Sequence, residues 1–99
     1  MGVASAFEGL DGAAAAQFET LRRQFVAGLV RRQHEIEAAP DAAALQGALH
    51  RLAGAAGSYG YTELGQIART ALRALKAGEQ ADLAASLKRL QKEMDGLMG

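Results

Sequence analysis

The 99-residue chain has no cysteine, no tryptophan and one proline, and its eleven basic and eleven acidic side chains cancel to a formal net charge of zero. Without cysteine there is no disulfide framework and no thiolate metal site. Zero net charge argues against nucleic acid, whose phosphates call for a basic surplus or patch. No apolar run approaches the roughly 18 residues of a membrane span. The N-terminal MGVASAFEGL lacks the basic start and long apolar core of a secretory leader. These absences point to a cytoplasmic protein that neither spans a membrane nor binds nucleic acid. Aromatic residues are limited to three Phe and two Tyr, and β-branched residues are few, so little in the composition favours strands.

Alanine is what the chain has in quantity. Hydrophobic residues make up 49% of the sequence and Ala supplies nearly half of them. Ala is the best helix former, and the apolar periodicity divides the chain into four helices over about 12–38, 42–58, 61–77 and 79–97. Residues 1–10 read as a short lead-in from which Phe7 and Leu10 fold back on the bundle, and Asp11 is a plausible N-cap. Phe18, Leu21, Phe25, Leu29 and Ile36 stripe the first helix. Pro40 ends it, because the residue before a proline is disfavoured in helical geometry, and Asp41 should cap the second. Gly57 and Gly60 are natural places for the second to stop, and Gly78 for the third. The third carries Leu64, Ile67, Ala68, Ala71, Leu72 and Leu75 on a wide apolar face. Leu83, Leu87, Leu90, Met94 and Leu97 repeat at four, three, four and three along the fourth, the seam of bundle packing. Short connections imply antiparallel neighbours, so the expected fold is an all-α, up-down-up-down four-helix bundle forming one domain over residues 1–99.

The second helix differs from the others. Leu45, Leu49, Leu52 and Ala56 form its core stripe. His50 lies one position round from Leu49, about 100° off that stripe, so its ring should sit at the edge of the core and reach water. The positions sharing its side are Gly47, Ala53, Gly54 and Gly57, all small. Each helix-interior Gly is unfavourable by roughly 0.5–1 kcal/mol relative to Ala. Tight packing against another helix would explain them, and so would a partner that must come close to the imidazole. No Asp or Glu occurs between Ala42 and Thr62. A neutral-to-basic surround suits a group that will carry phosphate, and neutral imidazole is a competent nucleophile near neutral pH.

His50-Arg51-Leu52-Ala53-Gly54, followed by Gly57-Ser58-Tyr59-Gly60, resembles the phosphoacceptor signature of histidine-containing phosphotransfer (HPt) domains, roughly H-x-L-K-G with small residues next and a Gly ten places after the His. The motif spans about a dozen residues, and the resemblance extends over most of the chain, because family domains are about this long and mostly helical. It implies that His50 is the phosphoacceptor in a relay between receiver-domain aspartates in two-component signalling. It implies a carrier with no kinase or phosphatase activity of its own and no cofactor of its own, the Mg²⁺ being supplied by the partner receiver. The implied partners are response-regulator receiver domains, with a hybrid histidine kinase as a further candidate, and the expected state is a monomer. Arg51, Ala53, Gly54, Gly57 and Lys76 then form the phosphate neighbourhood or docking surface. Ala53 stands where the family usually has Lys. Arg69, Arg73 and Lys76 on the third helix are the nearby basic candidates to replace it, with Lys76 falling about where some family members carry a basic residue. Solvated surface charge is the plainer reading of both Lys76 and Arg51.

Other readings fare less well. A histidine-kinase dimerisation helix typically has an acidic residue after its His, and here Arg51 follows. There is no G-x-x-x-x-G-K-[ST] loop for a nucleotide, and His34-Glu-Ile-Glu-Ala38 departs from the H-E-x-x-H zinc pattern at its fifth place, leaving His34 as a surface residue. The alternative kept open is a non-phosphorylated helical adaptor that docks receiver domains. A structural bundle with a chance histidine is the third reading.

Overall fold

The computed structural model describes residues 12–99, so the expected Asp11 cap and the packing of Phe7 and Leu10 lie outside the described residues. The described chain is all helix and turn: α1 (Gly12–Ala27), α2 (Leu29–Glu37), α3 (Ala42–Ser58), α4 (Thr62–Ala77) and α5 (Gln80–Met98). Together α1 and α2 occupy the place of one bundle helix, so the architecture is an antiparallel four-helix bundle with its first helix interrupted.

The interruption corrects the expectation of an unbroken helix over 12–38. It falls at Gly28, whose N–H is shared between the carbonyls of Gln24 (3.0 Å) and Phe25 (3.1 Å). Helical bonding resumes when Arg32 N–H reaches the Gly28 carbonyl at 3.2 Å. A residue without Cβ is the weakest helix former short of proline, which is why the ladder gives way there. Phe25 and Leu29 on either side are both buried, so the break leaves the core stripe in register. Leu21, expected on that stripe, is 39% exposed.

The remaining elements begin and end for local reasons. The Asp41 carboxylate accepts from Ala44 N–H at 2.8 Å, a side-chain cap on α3. The C-terminus of α3 closes in a Schellman turn: Tyr61 N–H bonds the Ala56 carbonyl at 2.8 Å and Gly60 N–H the Gly57 carbonyl at 3.3 Å. Gly60 stands between them at φ 81°, where a side chain would be strained. Gly78, at φ 72°, repeats the device after α4, with Glu79 N–H on the Ala74 carbonyl at 3.0 Å.

The core is built from Phe25, Leu29, Leu49, Leu52, Leu64, Ile67, Leu90 and Met94, with Ala53, Ala56, Ala68 and Ala71 between them. Small residues meet where α3 packs on α4: the Cβ position of Gly65 lies 3.6 Å from the Ala53 carbonyl oxygen and 3.7 Å from the Ala56 Cβ. Ile36, Leu45, Leu72, Leu75, Leu83, Leu87 and Leu97 pack half-buried around the core. Gln33 on α2 donates to the Asp95 carboxylate on α5 at 3.3 Å. No helix among the described residues is long and apolar enough to cross a membrane.

Candidate functional site

His50 sits in the middle of α3 with its side chain exposed, between the buried Leu49 and Leu52. The Leu45, Leu49, Leu52 and Ala56 stripe turns inward, and that fixes the direction in which the imidazole leaves the helix. A cleft of about 630 Å³ between α2 and α5, lined by Ile36, Leu87 and Met94 among others, does not include His50, nor does one of about 620 Å³ between α1 and the end of α3, lined by Phe18, Gly57 and Tyr59 among others. The ring therefore stands on an outer face, open to a macromolecular partner.

The small residues around it serve different ends. Gly54, one turn after His50, is exposed, and a Cβ there would meet no atom within 4 Å. Packing does not require this glycine. Its carbonyl accepts from the Ser58 hydroxyl at 3.0 Å. Gly57 is also exposed, but its Cβ position lies 3.6 Å from Nη2 of Arg69. Gly47, one turn before His50, is half-covered, with Nη1 of Arg51 3.1 Å from its Cβ position.

Ala53 departs from its expected place on the open surface: it is buried, at 5% exposure. Three residues advance a helix by about 300°, which carries position 53 past the His50 face and into the seam with α4. There its carbonyl oxygen lies 3.6 Å from the Cβ position of Gly65. A lysine at 53 would have to run its stem along that seam before its ammonium reached water.

Among the basic candidates, Arg51 turns away from a phosphate role. Its guanidinium pairs with the carboxylate of Glu35 on α2 while folding back over Gly47, so its charge is already partnered. Arg73 donates to Thr70 Oγ1 at 3.2 Å and lines the cleft between α4 and α5 with Ser86 and Arg89. Lys76 is exposed in the last turn of α4, where a cation is favoured by the helix dipole in any case. His34 is exposed on α2.

The end of α3 is held by an aromatic cluster. Tyr59 and Tyr61 bracket Phe25 of α1 with ring centroids 5.5 and 5.3 Å away. Phe18 adds a further contact to Tyr59 at 6.5 Å, and the Arg22 guanidinium caps the Tyr61 ring at 4.8 Å. That both tyrosines meet α1 was not legible from spacing within α3.

The sequence model of the Hpt domain matches residues 10–99. The chain belongs to the Hpt domain family. No curated protein and no solved structure matches it. Hpt domains are phosphotransfer carriers of two-component signalling and interact with receiver domains, and the all-helical bundle agrees with that family.

Proposed function

We propose that this Hpt domain accepts a phosphoryl group on His50 from the aspartyl phosphate of one receiver domain and passes it to the aspartate of another. The observation that carries this reading is the placement of His50: an exposed imidazole in mid-helix, beside a glycine that opens onto solvent, within an Hpt motif. In the forward step the lone pair of one ring nitrogen attacks phosphorus and an N–P bond forms. The acyl-phosphate O–P bond breaks, and the aspartate carboxylate leaves with the electron pair. The proton on the other ring nitrogen passes to solvent as the phosphorylated ring returns to neutrality. The second transfer reverses these events on a new carboxylate. Such chemistry depends on positioning and charge neutralisation rather than covalent help from the protein. The partner receiver supplies the Mg²⁺, and this chain contributes the ring and the docking face. On this reading the protein is a cytoplasmic, monomeric carrier without kinase or phosphatase activity, served by receivers or by a hybrid histidine kinase.

Incubation with phosphorylated receivers should give an acid-labile, alkali-stable adduct that His50→Gln abolishes and His34→Gln leaves intact. Equal labelling of the His50 variant would overturn the assignment. Ala53, standing where the family usually has Lys, favours one second reading, the non-phosphorylated adaptor. A parent protein that binds receivers yet stays unlabelled would establish that adaptor instead.

A further inference from the structure

We infer that Arg69, on α4, is the cation that holds the phosphoryl group of His50 in the absence of a lysine at position 53. The inference rests on the relay reading of His50 and adds to it the residue that receives the charge. Three observations carry it. The first is the level of Arg69 in the bundle. Gly65 faces Ala53 and Ala56 on α3, with its Cβ position 3.6 Å from the Ala53 carbonyl and 3.7 Å from the Ala56 Cβ. Because α4 runs antiparallel to α3, four residues further along α4, about 6 Å, places Arg69 opposite residues 49–52, the turn that contains His50. The second is its side. The Arg69 guanidinium lies across the α3–α4 groove, Nη2 3.6 Å from the Cβ position of Gly57 and Nη1 3.6 Å from that of Gly65. Gly57 follows His50 by seven residues and so shares its face of α3. The third is charge. Among the described residues Arg69 has neither an ion pair nor a hydrogen bond from its side chain, whereas Arg51 is held by Glu35 and Arg73 by Thr70.

The arm of Arg69 is thus anchored level with the imidazole and turned about two helical turns away from it at Gly57, resting on two positions that lack side chains. A phosphoryl dianion on His50 draws the guanidinium back along the groove, where planar, bidentate hydrogen bonding to phosphate oxygens suits Arg. Lys76 lies seven residues beyond Arg69 on the same face, so its backbone is opposite residues 42–45 by the same register, past the imidazole.

The test uses the full chain. His50 is phosphorylated with a small phosphoramidate donor, which needs no docking, and separately by a phosphorylated receiver. The side-chain N–H resonances of the arginines are followed by NMR during the first reaction. The Arg69 Nε–H resonance should shift on phosphorylation while that of Arg73 stays in place. Arg69→Gln should slow transfer from the receiver by about tenfold, the value of one charge-assisted hydrogen bond. Arg69→Lys should recover most of the rate, and Arg73→Gln should match the parent. An Arg69 resonance that does not move as phosphohistidine accumulates would overturn the inference and leave the relay reading intact. Absence of phosphohistidine with both donors would overturn the relay reading itself.

Discussion

Gly54 is a helix-interior glycine with open space where its side chain would be, in a position at which alanine is favoured by roughly 0.5–1 kcal/mol. Gly54→Ala should therefore raise stability by about that amount, read from urea unfolding. Gly54→Gln should also fold, since no neighbour is displaced, but its side chain would occupy the approach to His50 one turn away. Blocking even ~1.4 kcal/mol of docking would lower receiver transfer about tenfold. A destabilised Gly54→Gln would mean that the residue is small for packing. A stable variant with unchanged transfer would mean that receivers approach from another side. The contrast with Ala53 shows how finely a helix divides its faces: adjacent positions, one looking onto water and the other into the α3–α4 seam.

At the scale of the element, Gly28 marks the weak point of the first bundle helix. Its backbone is right-handed helical, at φ −81° and ψ −6°, and a Cβ there would make ordinary contacts of 3.5 Å with the Gln24 and Phe25 carbonyl oxygens. Gly28→Ala should be accommodated and should stabilise the protein by about 0.4–1 kcal/mol, chiefly by restricting the unfolded chain. A rise in urea midpoint with unchanged slope checks this. A loss of stability would show that the bifurcated bond at the break serves the packing of α1 against the rest. Glycines 60 and 78 differ in kind. Both hold positive φ at helix ends, where any side chain is strained whatever space surrounds it.

For the whole molecule, the aromatic cluster is the long-range tie that fixes α1 on the α3–α4 turn. Phe25 is 6% exposed and touches both tyrosines. Phe25→Ala should cost about 3–5 kcal/mol, a large share of the roughly 5–15 kcal/mol that holds a domain folded. Equilibrium unfolding followed by tyrosine fluorescence and by far-ultraviolet circular dichroism gives the number. A loss below about 1 kcal/mol would mean that the helix pair α3–α4 and α5 hold the fold without α1, since core deletions of this size otherwise register clearly.

The sequence by itself determined what depends on neighbours along the chain. Alanine content and apolar spacing decided that there are four bundle helices, because a 3.6-residue period leaves only one way to bury Leu49 and Leu52, and that same period put His50 in water. Asp41, Gly60 and Gly78 decided where helices start and stop, because capping is satisfied within a few residues. Tertiary structure alone decided the rest. Ala53 is buried because α4 lies on that side of α3. Arg51 is spent on Glu35 because α2 passes within reach, and Arg69 lies over Gly57 because an antiparallel neighbour of fixed register brings it there. Tyr59 and Tyr61 meet Phe25 across more than thirty residues of chain. None of these follows from spacing within one helix, since each depends on which helix packs alongside and at what height.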